Sequence, residues 1–342
     1  MHLLKFGVAA VVASVLAGCA FSPGEEGESI GTEEVVSSLS DTCSTEAPRS
    51  AAVVVHALPD AGTDPFVDEI AKAKSSIRLM IYELTSGAIL NALVARANAG
   101  VSVQVIFDEG EKAINQSAFD ALQKAGAEVK WSLAKYSYMH AKTFSVDDNT
   151  LVVTSANFVP AYFNRERNFV AVDRDTDDVK SFLAFFNADW NDTNARPSCT
   201  RLVVSPNNSR SRVIDFIKSA TKSIHVESMQ LSDTSVRKAL AERATAGVEV
   251  KVILADPRWI TTNTTAAKYL MNAGASVRSM TALDVHTKSI VVDDEKVYLG
   301  SENFTYVSFF QNREVGLVAT EKANATLMAD TFDAVWKTAT SF

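Results

Sequence analysis

A histidine and a lysine two residues apart occur twice in this chain, as His140 with Lys142 and as His286 with Lys288. On an extended backbone, side chains two apart point to the same face, so each pair aims an imidazole and an ammonium at one spot. Such a spot suits an anion, and phosphate is the obvious one. Asp147, Ser155 and Asn157 follow the first pair, and Asp293, Ser301 and Asn303 follow the second. Every one of these positions recurs at an offset of 146 residues. One match would carry little weight, but two in register are not chance.

The chemistry this suggests is phosphodiester cleavage. A phosphodiester resists attack because its charge repels nucleophiles and its alkoxide leaves poorly. A covalent intermediate on one imidazole splits the step in two. A second, protonated imidazole can then donate to the leaving oxygen. Lys142 and Lys288 would neutralise the phosphoryl oxygens, with hydrogen bonds added by Asn157 and Asn303. Ser155 and Ser301 are candidate donors to the same oxygens or to the histidines. Asp147 and Asp293 are expected to orient the imidazoles and stabilise their charged form. The scheme calls for no cofactor and no metal, and no His/Cys spacing suggests zinc.

The doubled His-x-Lys-x4-Asp pattern resembles that of the phospholipase D superfamily, over about residues 50–342. The resemblance implies two similar lobes about a pseudo-two-fold axis, with the motifs meeting in a cleft between them. It also implies His140 as nucleophile and His286 as acid, an assignment the residues alone leave open. Thr154 departs from the pattern, standing where the second repeat has Gly300 and adding a side chain where backbone could approach phosphate. Asn312-Arg313-Glu314 fits the family's Asn-x-Glu element, which adds Glu314 to the support residues. At the same offset the first repeat has Asn168, with Glu166 two residues earlier, so the support around the first histidine stays open.

The surrounding elements repeat as well. Opening strands are expected at Ala52–Leu58 and Arg201–Ser205, each followed by a proline. Helical periodicity covers Phe66–Lys74 and Val213–Lys222, leading into the apolar strands Ile77–Tyr82 and Ile224–Met229. Second helices run from about Ala88 to Ala99 and from about Val236 to Ala246, with Ser86 and Asp233 or Thr234 as candidate N-caps and Gly100 and Gly247 as stops. Strands Val101–Phe107 and Val248–Leu254 and third helices Ser117–Lys124 and Thr265–Asn272 follow. The motif residues themselves predict a hairpin, with Ser289–Val292 and Lys296–Leu299 joined by Asp293–Asp294–Glu295. Strands alternating with helices imply an α/β fold, each lobe a central mixed β-sheet flanked by helices.

Residues 1–18 read as a signal peptide: Lys5 precedes an apolar run, Phe6–Leu16, too short to span a bilayer. Leu16-Ala17-Gly18-Cys19 resembles a bacterial lipobox, which implies lipidation of Cys19. Residues 19–49, rich in Glu, Gly and Ser, read as a solvated linker, with lobes at 50–197 and 198–342. Cys43 and Cys199 each lie just ahead of a lobe's first strand, and a disulfide between them suits an oxidising compartment. Glu83 and Gln230 end equivalent strands and are candidates for the cleft wall, although strand-end polar residues often have no such role. Tyr136, Tyr138, Trp259, Tyr306, Phe309 and Phe310 flank the motifs and read either as an apolar mouth for acyl chains or as core. His225 and His56 read as structural strand residues.

These readings describe a monomeric enzyme of the bacterial cell envelope, exported and lipid-anchored, with a phospholipid substrate. It would cleave head groups as phospholipases D do, handing the phosphatidyl group to water or an alcohol. The alternative is transfer of the cardiolipin-synthase kind, ranked second because the usual membrane spans of such synthases are absent from the sequence. A metal-independent nuclease ranks lower, since the net charge of −8 offers nucleic acid no global attraction. A non-catalytic surface lipoprotein ranks last, because both motifs are complete.

Overall fold

The computed structural model describes residues 43–342 apart from 196 and 198. The leader, Cys19 and the linker through residue 42 lie outside the described residues. The first lobe runs β1 (Val54–Leu58), α1 (Asp64–Ala71), β2 (Ser76–Ile81), α2 (Gly87–Asn98), β3 (Ser102–Phe107), α3 (Lys112–Lys124), β4 (Glu128–Trp131), β5 (Lys142–Val146), β6 (Thr150–Thr154), α4 (Tyr162–Arg165), β7 (Glu166–Asp173) and α5 (Thr176–Trp190). The second repeats it. It runs β8 (Val203–Ser205), α6 (Ser209–Lys218), β9 (Ser223–Ser228), α7 (Thr234–Thr245), β10 (Glu249–Ala255), α8 (Asn263–Asn272), β11 (Ser276–Met280), β12 (Asp284–Val285), β13 (Lys288–Val292), β14 (Lys296–Gly300), α9 (Tyr306–Phe310), β15 (Glu314–Ala319), α10 (Lys322–Thr338) and β16 (Thr340–Ser341).

Both sheets are mixed, and their strand orders correspond: β1-β7-β6-β5-β2-β3-β4 in one and β8-β15-β14-β13-β9-β10-β11 in the other, which β16 extends at its edge. β2, β3 and β4 pair in parallel, which requires the crossover helices α2 and α3, while β5 and β6 form an antiparallel hairpin. The strand alternation decides which core each residue joins. Leu79, Ile81 and Val152 face the outer core under α1–α3, whereas Met80, Leu151 and Val153 face inward. The inner core is shared: those residues pack with Val291, Val297, Leu299 and Leu317 of the second lobe and with Phe182, Phe185 and Phe186 of α5. Each buried phenylalanine contributes roughly 1.5–3 kcal/mol. The lobes are therefore joined by core, not by a hinge of loops.

The sequence reading contains no counterpart of α5 and α10, and both serve the junction. Asn324 near the start of α10 accepts from Val55 N at 3.1 Å and donates to Val53 O at 2.9 Å, while Glu321 accepts from Val53 N. These bonds cover the free edge of β1. Two exchanges tie the lobes further. β12 of the second lobe pairs in parallel with β7 of the first, Val285 opposite Arg167, and Met139 makes the matching bridge to Arg313. Sheet membership thus crosses the expected boundary at residue 198.

The linker also ends earlier than expected. Cys43 is joined to Cys199 by a disulfide, with Cα atoms 5.2 Å apart. The Arg49 side chain is buried, its Nε 2.7 Å from Asp178 and 3.2 Å from Asp173. Two adjoining buried carboxylates need a cation close by, and the chain around residue 49 supplies one.

Candidate active site

Lys142 opens β5 and Lys288 opens β13, so each histidine lies just upstream of a central strand. Both lysines are fully buried, and each Nζ turns back to the carbonyl of its own histidine, 2.7 Å to His140 O and 2.5 Å to His286 O. The Tyr82 ring lies 4.9 Å from the His140 ring, edge to face, and 4.8 Å from Lys142 Nζ. In the second lobe Lys288 Nζ stands 3.4 Å from His286 Nε2 and 3.9 Å from Met229 Sδ. Lys288, Lys142 and His140 all act on the charge of His286, so the two motifs converge on one site.

The second ring nitrogen of each histidine is held from the opposite lobe. His140 N donates to Arg313 O at 2.9 Å, which places the ring beside Glu314, and Nδ1 lies 2.8 Å from Glu314 Oε2. Glu314 is fully buried and is held in turn by Ser308 Oγ and by Asn312 Nδ2 at 2.9 Å. The symmetric exchange puts His286 N and Thr287 N on Arg167 O. His286 Nδ1 then lies 3.2 Å from Asn168 Oδ1 and 3.3 Å from Glu166 Oε2. Glu314 therefore supports the first histidine, not its own, and Glu166 with Asn168 supports the second. The offset that aligns Asn168 with Glu314 was the available signal, but it does not say which histidine each one serves.

Burial drives His140 down to about 4, against the pull of Glu314, so its imidazole is neutral near pH 7 with Nδ1–H held by the carboxylate. Burial works to raise Glu314, yet His140, Lys142 and Ser308 bring it below its ordinary value. His286 lies well below the usual range because burial, Lys288 and Lys142 all oppose a charge there. Burial raises the neighbouring Glu166 to about 7. An anion between the two lysines would offset their share of that shift and favour the charged form of His286.

The structure corrects the role expected of Asp147 and Asp293. Each follows the far end of its strand, five residues and roughly 16 Å beyond the lysine. The Asp147 carboxylate accepts from the backbone N–H groups of Lys74, Ser75 and Ser76, and that of Asp293 from Thr221, Lys222 and Ser223. Against a desolvation cost, these donors hold both carboxyls below the usual range. Both aspartates and the residue after each have positive φ, a turn conformation that Asp tolerates better than most residues. Asp293→Ala is accordingly expected to lower stability by about 1–3 kcal/mol, read as the thermal midpoint, with kcat per folded molecule within a few-fold of wild type. A large loss of kcat at unchanged midpoint would return Asp293 to the chemistry.

The remaining support residues divide. Ser155 Oγ donates to Asn168 Oδ1 at 2.7 Å, which fixes the amide facing His286. Ser301 Oγ accepts from Val315 N at 3.1 Å and serves the sheet. The side-chain carbonyls of Asn157 and Asn303 are buried without a hydrogen-bond partner. Thr154 does not open toward a ligand: it is buried, and its hydroxyl donates to Phe169 O at 2.8 Å. Its counterpart must be glycine for an internal reason. A Cβ at Gly300 would strike Glu302 and approach Gly316 Cα at 2.7 Å.

Of the flanking aromatics, Phe309 is core, and Tyr136 is tied to Asp189 and Arg313 at the lobe junction. Tyr138 meets Tyr82 edge to face, while Trp259, Tyr306 and Phe310 are exposed. His225 stacks on Phe332 at 4.6 Å. Among the described residues no helix is long and apolar enough to cross a membrane.

Comparison with known proteins agrees with this arrangement. The family described as cardiolipin synthase, PLD-like domain, matches twice, at residues 66–190 and 213–336. A curated relative named cardiolipin synthase, from Listeria innocua, is 27% identical over 316 residues, covering 79% of this chain and 65% of its own length. The chain thus spans just under two thirds of that relative. Among solved structures, phosphatidylserine synthase of Haemophilus influenzae superposes with a TM-score of 0.65 at 14% identity, covering 83% of this chain and 86% of that one. Polyphosphate kinase of Porphyromonas gingivalis gives 0.64 at 16% identity, covering 82% and 50%. These two likenesses concern the fold. With both motifs inside the matched segments, which together exceed half its length, the chain belongs to the PLD-like family of the cardiolipin synthases, within the phospholipase D superfamily, and carries that domain twice.

Proposed function

We propose that this protein is a phosphatidyltransferase, moving a phosphatidyl group from one alcohol to another through a phosphohistidine on His140. The observation that carries this reading is the His140–Glu314 pair, a neutral imidazole held at 2.8 Å by a fully buried carboxylate. With Nδ1–H donated to Glu314, the lone pair on Nε2 attacks phosphorus, and the carboxylate offsets the positive charge that develops on the ring. His286, charged once the phosphodiester sits between Lys142 and Lys288, gives its proton to the leaving alkoxide, which departs as the alcohol. In the second half an incoming alcohol yields its proton to His286 as its oxygen displaces His140 from phosphorus. The less tightly held His286, shared between Glu166 and Asn168, suits a group that must gain and lose a proton.

The matched family and the relative's name favour an alcohol acceptor over water, which places cardiolipin-synthase-like transfer ahead of the hydrolysis expected first. A phospholipid substrate fits an envelope location, with Cys19 as the proposed lipid anchor. The test uses the full chain with phosphatidylglycerol vesicles, ethanol and a chelator, and mass spectrometry of the lipids. Cardiolipin without ethanol and phosphatidylethanol with it are the expected products. Phosphatidic acid alone would make the enzyme a hydrolase, and unchanged lipid would sink the reading.

A further inference from the structure

The walls around the two histidines are not alike. At the end of β2 the first lobe has Tyr82 and Glu83, where the end of β9 has Met229 and Gln230 in the second. Gln230 is satisfied, its Nε2 3.2 Å from Thr262 Oγ1. Glu83 is not: it is 4% exposed and its Oε2 has no hydrogen-bond partner. Two other carboxylates, Asp108 and Glu111, act on it electrostatically, as does Lys142. Asp108 accepts from the N–H groups of Met139 and Glu111, and Glu111 accepts from the Tyr82 hydroxyl at 2.7 Å. Of these three carboxylates, Glu83 alone has a fully buried oxygen without a hydrogen-bond partner. Leaving such a group buried and unpaired is costly, and the cost is recovered when a donor arrives.

Lys142, which acts directly on Glu83, is also the group proposed to hold the phosphate. A donor that reaches Glu83 is therefore carried by a molecule whose other end is at the phosphorus. Resting on the transfer reading above, we propose that Glu83 selects the alcohol that enters or leaves, accepting a hydrogen bond from a second donor on it, a hydroxyl or an ammonium. An alcohol with one hydroxyl and an otherwise apolar chain leaves Glu83 unpaired and is disfavoured. Burial raises Glu83 to about 7, so the charge it needs to hold an ammonium is available at mildly alkaline pH.

The experiment is a competition at pH 8 with phosphatidylglycerol vesicles and the full chain. Equal amounts of 1-propanol, 1,3-propanediol and 3-amino-1-propanol compete, alcohols of one length that differ only in their far group. The phosphatidyl alcohols are then counted by mass spectrometry. Wild type is expected to favour the diol, the amino alcohol or both over 1-propanol by about tenfold or more. Glu83→Leu is expected to bring the three products close to parity. Glu83→Gln, which keeps an acceptor but no charge, is expected to retain preference for the diol and lose that for the amine. Product ratios near one in wild type overturn the assignment, as do wild-type ratios in Glu83→Leu. No phosphatidyl alcohol of any kind from wild type overturns the transfer reading itself, and this assignment with it.

Discussion

His140→Asn is expected to lower phosphatidyl transfer by roughly 10⁴-fold or more, because it removes the atom that bonds to phosphorus. His286→Asn is expected to be equally damaging with a natural lipid, where the leaving alkoxide needs a proton. The two variants separate when the leaving group needs none. With a p-nitrophenyl phosphodiester, His286→Asn is expected to release a burst of p-nitrophenol and accumulate phosphoryl-protein, whereas His140→Asn releases none. The contrast follows from the geometry. His140 has its Nδ1–H fixed by a carboxylate at 2.8 Å, while His286 is shared between two partners at 3.2 and 3.3 Å. A burst from His140→Asn and none from His286→Asn would exchange their roles.

Glu314→Gln is expected to cost roughly 10²–10⁴-fold in kcat with little change in KM, although Glu314 touches no substrate. An amide in its place can present its NH₂ to Nδ1, which favours the wrong tautomer and puts the hydrogen on the attacking nitrogen. It also removes the negative charge that offsets the developing imidazolium. The pH profile distinguishes this from simple misfolding. His140 must be neutral to attack, so activity falls as the pH drops through about 4. Glu314 is the group that holds that value up, so its removal is expected to move the acid limb to lower pH. Partial recovery in Glu314→Asp would complete the case, and an unmoved limb would contradict it.

What could be read in advance was whatever a strand or helix expresses locally. The two-residue spacing of His140 and Lys142 puts both groups on one face of an extended backbone, and the hairpin around Asp293 and Asp294 carries its own turn residues. Asp147 was misread because a fixed distance along the chain says nothing about distance in space, and a strand carries it away from the histidine. The partner of each histidine was hidden for a different reason. Nothing near His140 indicates that Arg313 will sit beside it, because that bridge exists only once both lobes are built. Thr154 looked like a defect in the phosphate-facing backbone, but the glycine at its counterpart makes room for Glu302, where the first repeat has Ala156.

The reciprocal bridges, Met139 to Arg313 and Val285 to Arg167, also govern inheritance. A harmful change in one repeat lands on the histidine of the other, so neither half is a spare for its twin. Two chains, one damaged at Glu166 and one at Glu314, cannot rescue each other by mixing unless their halves exchange, and a shared core with a disulfide from Cys43 to Cys199 opposes that exchange. Once two copies are locked in this way, symmetry stops being enforced, and each position can drift toward its own task. Glu83 against Gln230, and Val152 against Tyr298, are equivalent positions at which the two copies differ.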